Sequence, residues 1–569
     1  MKKGKYILII FLFFFILILA TIFSFIYFEF AKPPSVKTQS YLEIPLTGEI
    51  QEKVIPNLFV ELFSPTKPLS LHDIWLNIQK AKHDSRIKGI ILKQGYLVCD
   101  WAKVNEIREA VLDFRKSGKK VLSYIEEAPD FDKEYYLATA CDRIILHPMG
   151  WIGINGISAE IPFLKKTLEK LGIEGEFIEI KEYKTAYHMF TKEGFTPAHK
   201  RMMTSIYRER FEQYISTVAE ARNLDKARVE ELINHGFFQG EKAINTGLVD
   251  DLLYEDEMWD NLKEEGLPFR KIAHSQYTKV KVSTSGFNQG KKIALIYGMG
   301  PILTGEGISE AMGSATICRW LRKARKDSSI AAIVFRVDSP GGSSVGSDII
   351  WREVFLAKKE KPVVVSMSDM AGSGGYWIAM PAHRIIAHPQ TLTGSIGVLS
   401  GKFNMSGLYQ KIGVTFENLN YGDKAGIYSS NRGFTDEEKQ MLEKEMLWVY
   451  DKFLTKAAEG RHMTKEEVDK IGKGRVWTGA QAKEIGLIDD TGGILKAFQT
   501  AKELAGIPQN ESVNLEVWPK TVSFFASLFG GGQTSLRTKQ DLLKKTVERL
   551  QLLQKEGVLA IMFMGTTAE

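Results

Sequence analysis

AKHDSRIKGIILK at residues 81–93 and ARKDSSIAAIVFR at residues 324–336 are two versions of one stretch, 243 residues apart. YYLATACDRIILHP from Tyr135 and YWIAMPAHRIIAHP from Tyr376 stand 241 apart, and GFFQGEKAINTGLVDD from Gly236 and GRVWTGAQAKEIGLIDD from Gly474 stand 238 apart. Three separated blocks at nearly one offset indicate a unit of about 220 residues written twice, with small insertions and deletions between the copies. The first copy runs from about Tyr41 to Gly286, and the second from about Lys291 to Ile507. A charged, Gly-containing stretch joins them, and residues 508–569 form a C-terminal tail.

Each copy reads as α/β. KGIILK, KKVLSYI, IAAIVFRV and KPVVVSM are short apolar runs rich in β-branched residues, of strand length. Between them, VNEIREAVLDFRKSG and SDIIWREVFLAKKE carry apolar residues at three- and four-residue spacing, as amphipathic helices do. Such alternation predicts parallel strands with crossover helices on both faces. KRMMTSIYRERFEQYISTVAEARN and DEEKQMLEKEMLWVYDKFLTKAAEGR predict a long helix in each copy.

The first thirty residues differ from the rest. YILIIFLFFFILILATIFSFIYF, Tyr6 to Phe28, holds no charge over 23 residues. As a helix it would span roughly 34 Å, against a hydrocarbon core of about 30 Å. Lys2, Lys3 and Lys5 precede it, so the orientation expected is N-terminus inside with the bulk of the chain extracytoplasmic. The run is longer than the roughly 7–15-residue core of a cleaved signal peptide, and no small-x-small site follows it, which favours an uncleaved single-pass anchor.

Composition excludes several classes. Hydrophobic residues are 44% and charged residues 25%, an ordinary globular balance. A net charge of +6 over 569 residues is too weak a field to indicate nucleic acid. Cys99, Cys141 and Cys318 have neither the number for a closed disulfide set nor zinc-like spacing, and read as small buried hydrophobes. No P-loop, HExxH or EF-hand pattern occurs, and neither a metal nor another cofactor is expected.

The informative positions are those where the copies disagree. After IAAIVFRV the second copy reads Asp338-Ser339-Pro340-Gly341-Gly342-Ser343-Ser344, against Gly95-Tyr96-Leu97-Val98-Cys99-Asp100 in the first. A Pro-Gly-Gly loop at a strand's carboxyl end can present backbone N–H groups, the donors an oxyanion needs. After KPVVVSM it reads Asp369-Met370-Ala371-Gly372-Ser373-Gly374-Gly375-Tyr376, and Ser373 aligns with Asp132. A serine among glycines at a strand-to-helix turn is either an approachable nucleophile or a helix cap. A nucleophile needs a base. Ten histidines are present without a recognisable triad context, and His383 and His388 lie in a segment repeated with His147. A lysine can serve if burial lowers its pKa from about 10.4 toward neutrality, a change on the order of 4 kcal/mol. No spacing rule selects that lysine among 75 basic residues.

MSDMAGSGGYWIAMPAHRIIAHPQTLTGSIGV, with VDSPGGSSVGSD upstream, resembles the signal peptide peptidase A (protease IV) family in its long, two-copy form. The resemblance covers nearly everything from Tyr41 to Ile507. It implies tandem ClpP/crotonase-like domains after a single N-terminal transmembrane helix. It also implies cleavage of hydrophobic peptides such as released signal peptides, and a bowl-shaped homotetramer facing the membrane. Ser373 is similar to the family's nucleophile. The family's Y-K-S-A motif, which supplies the base from the first copy, here reads Tyr183-Lys184-Thr185-Ala186. Two departures stand out. Lys424 lies 51 residues after Ser373, where the one-copy form carries its lysine, so it competes with Lys184. Tyr187-His188-Met189-Phe190 then replaces an expected acidic residue and proline before the aromatic. The chemistry assigns oxyanion donors to Gly341 or Gly342 with Gly374, and Ser395 in Thr393-Gly394-Ser395-Ile396-Gly397 is a candidate to orient the lysine. Two other classes share the fold: a non-catalytic membrane scaffold, and an acyl-CoA hydratase or isomerase.

Overall fold

The structure is a computed structural model, and it describes residues 34–54, 68–128, 130–263, 270–281, 288–308 and 311–520, the strand Leu559–Ile561, and the isolated residues 14, 18 and 21. Two largely parallel sheets correspond to the two copies. The first has seven strands, in the order Arg270–Ala273, Ser40–Gln51, Ile87–Val98, Lys120–Ile125, Arg143–Leu146, Asp251–Leu252, with Leu69–Ser70 added beside Ser40–Gln51. Val476–Thr478, Leu392–Gly394, Val363–Gly372, Ile330–Ser339, Lys292–Met299 and Asn514–Trp518 run across the second, which has eight strands with Arg384–Ala387 and Asp490–Thr491 branching off. Ile330–Ser339 is buried at nearly every position, as a parallel strand covered on both faces requires. Asn514–Trp518, beyond Ile507, pairs with Lys292–Met299 and so adds to the second sheet.

The copies share finer features. The long helices are Pro197–Arg222 and Asp436–Arg461, each 26 residues, each capped by a threonine and each ended by a left-handed residue. Tyr135 donates its hydroxyl to Leu248 O at 2.8 Å, and Tyr376 makes the same bond to Leu487 O at 2.9 Å. The predicted helix around VNEIREAVLDFRKSG starts earlier, at Trp101, because Asp100 caps that residue's N–H. Tyr6–Phe28 lies outside the described residues apart from three isolated positions, as does the amphipathic stretch near Asp541–Lys555. Among the described residues no helix is long and apolar enough to cross a membrane.

Among the features that join the copies, two are extended. One is a third, six-stranded sheet, in which Glu174–Glu179 of the first copy pairs antiparallel with Leu399–Asn404 of the second, Glu179 opposite Leu399 and Glu174 opposite Asn404. Ile180 extends the pairing by donating its N–H to Val398 O at 3.2 Å. The other is a buried ion network. Arg336 of the second copy meets Glu52 at 2.6 Å and Glu106 at 2.9 Å, both from the first, and His388 meets Glu106 at 3.2 Å. Arg336 and His388 outweigh the cost of burial and hold the Glu106 carboxyl low, at about 2, while Glu109 and Glu106 hold His388 above the ordinary histidine range. His388 is fully buried and packs into this seam. Around this seam Trp75 of the first copy stacks on Phe498 of the second at 5.8 Å between ring centres.

Removing one partner of a buried pair strands the others. Arg336→Met is therefore expected to destabilise the fold by roughly 3–5 kcal/mol in urea unfolding. A loss under about 1 kcal/mol would show that the seam does not depend on this network.

Candidate active site

Ser373 closes the strand Val363–Gly372 and opens the helix Gly374–Ala379 at φ 55° and ψ −113°. That backbone conformation costs a non-glycine residue of order 1–3 kcal/mol and persists because the surroundings enforce it. Ser373 N–H donates to Gly394 O at 2.8 Å, and the turn packs so closely that a Cβ on Gly375 would stand 2.7 Å from Ser339 O. The glycines flanking Ser373 therefore let the helix start pass beneath the Pro-Gly-Gly loop. The hydroxyl itself is buried and donates to Gly397 O at 3.3 Å.

Lys184 arrives from the first copy, four residues beyond the last residue of the crossing pairing. Tyr183 N–H donates to Lys473 O at 3.1 Å, and Gly474 lies so close that a Cβ there would meet Lys184 N at 2.5 Å. The amine is buried, with the residue 1% exposed. Its Nζ donates to Ser373 Oγ at 2.7 Å, to Ser395 Oγ at 3.0 Å and to Ser395 O at 3.2 Å. Burial pushes this amine well below the ordinary lysine range. Of the two lysines the sequence left open, the structure brings Lys184 to Ser373. Lys424 is instead part-exposed and donates to Glu437 at 2.8 Å. Ser395 lies where the orienting role requires it.

The motif departure after Ala186 turns inward. Tyr187 stacks on Phe177 at 3.8 Å and His188 reaches Glu179 at 2.9 Å, so the loop carrying Lys184 is packed against the strand that delivers it. Ala186, Tyr187, Leu303, Ala311 and Leu399 form an apolar cluster beside the site. Gly341–Ser343 is itself a short strand, pairing through Gly342 with Ile302. Gly341 N–H is engaged by Ser339 Oγ at 3.1 Å, and a Cβ on Gly342 would stand 2.3 Å from Ile302 O. On the open edge of this strand lies Leu559–Ile561 from the C-terminal tail, antiparallel, with Ala560 opposite Gly342 and Leu559 also opposite Leu399.

Sequence reasoning missed a second lysine. Lys103 of the first copy reaches Asp338 at 2.8 Å and Asp369 at 2.9 Å, near the carboxyl ends of the strands that lead to Gly341 and Ser373. Asp338 also accepts Met370 N–H at 3.2 Å, tying the loops together. The two carboxylates hold the Lys103 amine well above its ordinary range despite burial. The signal was present in part, since both aspartates stand where the copies differ, but nothing local pointed to Lys103. Glu106, Glu109 and His388 have ligand atoms close enough for a metal ion, but Arg336 at 2.9 Å from Glu106 already supplies the cation there.

The model of peptidase family S49 matches this chain twice, at residues 113–266 and 356–508. The chain belongs to peptidase family S49. It is 34% identical over 545 residues to a serine protease SPPA, chloroplastic, of Arabidopsis thaliana, covering 94% of this chain and 79% of that one. It is 33% identical over 460 residues to a protease 4 of Salmonella typhi, covering 77% and 73% respectively. This S49 member is accordingly a serine endopeptidase of the SppA/protease 4 group. Among solved structures, a ClpP1 mutant from Listeria monocytogenes covers 35% of the chain at 14% identity and a TM-score of 0.24. A membrane-bound stomatin-specific protease mutant, 1510-N, covers 41% at 16% identity and a TM-score of 0.27.

The lowered Lys184 amine has a stability consequence. Unfolding relieves the penalty of protonating this lysine in the folded site, so the wild type is weakened fully below its folded pKa and progressively less as the pH rises to the ordinary value of about 10.4. Lys184→Met is expected to resist urea better than the wild type at pH 7, with the gap shrinking as the pH approaches 10. A gap independent of pH would mean that Lys184 is charged in the fold.

Proposed function

We propose that the chain is a membrane-anchored endopeptidase that hydrolyses apolar peptides, released signal peptides among them, with Ser373 as nucleophile and Lys184 as general base. The observation that carries this reading is the 2.7 Å contact between Lys184 Nζ and Ser373 Oγ, made by a buried amine with no carboxylate among the described residues to keep it charged. As the free amine, Lys184 takes the Ser373 proton while Oγ attacks the peptide carbonyl, then passes that proton to the leaving amine. Water deprotonated by the same lysine next opens the ester, and the proton returns to Ser373 Oγ as the acid leaves. Ser395, bonded to Nζ through both its hydroxyl and its carbonyl, holds the amine on this line.

The oxyanion donors proposed are Gly341 or Gly342 of the Pro-Gly-Gly loop with Gly374, the latter because Ser373 N–H already has a partner. The Pro-Gly-Gly loop and the start of the helix then flank one carbonyl. Apolar, extended substrates are supported by the chain's own tail. VLAIMFM contributes Leu559–Ile561 as an antiparallel strand on Gly341–Ser343, beside the apolar cluster, which is how a peptide would present its backbone to Ser373. The apolar Tyr6–Phe28 supports an anchor with the catalytic copies outside the cytoplasm, and family resemblance supports a homotetramer.

Peptide hydrolysis by the full chain in detergent tests the dyad. Ser373→Ala and Lys184→Met should each lose activity by about 10²-fold or more, while Lys424→Met continues to turn over. Loss confined to Ser373→Ala and Lys424→Met would place the base within the second copy. Deleting residues 556–569 is expected to lower KM for an added apolar peptide with little change in kcat. An unchanged KM would show that the tail strand does not compete with substrate.

A further inference from the structure

The two strands that lead to the site do not run in even register. Val337 stands opposite Met367 and Ser339 opposite Ala371, so Asp338 alone faces Ser368, Asp369 and Met370. A bulge of this kind leaves ladder groups unpaired and re-aims the strand that carries it. Asp338 fills the gap with its side chain, accepting Met370 N–H at 3.2 Å. The bulge also gathers two carboxylates, since Lys103 Nζ lies 2.8 Å from Asp338 and 2.9 Å from Asp369. Asp369 is held from the other side as well. It accepts N–H from Asp100 at 3.2 Å and from Lys103 at 2.9 Å, at the start of the first-copy helix Trp101–Arg115. Asp369 and Lys103 are both buried. Carboxylates this close, removed from water, repel unless a cation or a proton stands between them. Lys103 supplies the cation.

What this bridge holds is the spacing between the two halves of the site. From Asp338 the chain passes directly to Ser339, whose Oγ accepts Gly341 N–H at 3.1 Å and whose carbonyl packs against Gly375. From Asp369 it runs four residues to Ser373. The repeat ties the bridge to catalysis rather than to folding alone. In the first copy the positions of Asp338, Asp369 and Ser373 are Gly95, Ala128 and Asp132, so the copy without the serine lacks both carboxylates too.

We propose that Lys103 is a positioning residue for peptide hydrolysis: by bridging Asp338 and Asp369 across the bulge, it sets the Pro-Gly-Gly donors at the distance from Ser373 that the oxyanion requires. The inference rests on the reading of Ser373 and Lys184 given above. It adds a second lysine from the first copy, one that touches no reacting atom. A misplacement of about 1 Å at such a site can cost on the order of 10²-fold in rate.

The test uses the full chain in detergent, an apolar fluorogenic peptide, and the aldehyde of the same peptide. Addition of Ser373 Oγ to the aldehyde carbon places an oxygen where the oxyanion forms. Lys103→Met is expected to lower kcat by about 30-fold near pH 8 with KM within about twofold, and to weaken the aldehyde by the same factor. Lys103→Arg, which keeps the charge, should recover most of the loss. The pH profile supplies a readout that a role in stability alone does not move. Without the ammonium, one proton shared by Asp338 and Asp369 takes its place, so Lys103→Met should gain on the wild type as the pH falls from about 9 to 6. Glu52, Asp100 and Cys99 also face the pair, but Arg336 holds Glu52, Arg210 holds Asp100, and burial keeps the Cys99 thiol protonated. Should Lys103→Met not fold, Asp369→Asn must show the same matched losses in kcat and aldehyde affinity, at about tenfold. A loss carried by KM alone overturns the proposal. If the wild-type Ser373 forms no adduct, the reading of Ser373 fails and the proposal with it. A wild-type adduct that the Lys103 and Asp369 variants bind as tightly overturns the proposal alone.

Discussion

Everything distinctive about this protein depends on a strand changing sides. Glu174–Glu179 belongs to the first copy by sequence but hydrogen-bonds to Leu399–Asn404 of the second. That pairing fixes Ile180 against Val398, and the chain then has four residues in which to bring Lys184 over Gly474 and into contact with Ser373. A lysine on an unpaired loop would be hydrated and charged, and Ser373 would be only a strained serine in a tight turn. The backbone ladder converts an ordinary surface residue into a buried amine beside Ser373.

Two buried lysines show how the surroundings decide protonation. Lys103 and Lys184 both cross from the first copy into the second, and both are removed from water. Lys103 meets Asp338 and Asp369 and is held charged, so it works as a clamp on the two loops. Among the described residues Lys184 meets hydroxyl and carbonyl oxygens, and burial lowers its pKa. Equal desolvation with opposite neighbours holds one amine charged and pushes the other toward neutrality.

The tandem organisation, the parallel sheets and the long helices were legible because periodicity and repetition are local or additive signals. Ser373 and the Pro-Gly-Gly loop were legible as places where one copy departs from the other. The choice between Lys184 and Lys424 was not, because the two lysines have similar local sequence and differ only in whether a partner strand lies beside them. Lys103 was invisible for the same reason: its partners are 235 and 266 residues away, and no periodicity reports such contacts. Asn514–Trp518 was read as tail because its five residues follow the last repeated block, although Lys292–Met299 offers it a strand edge.

The charge network at the seam bears on how such a chain could have come about and how far it can be taken apart. Arg336 lies in one copy while its carboxylates, Glu52 and Glu106, lie in the other. At this network each severed half would bury charge without its partner, so neither would be a free-standing module. A duplicated ancestor could tolerate this division only after fusion kept the partners at high local concentration. Once the charges were divided, the fusion became irreversible, since no single substitution restores an independent half.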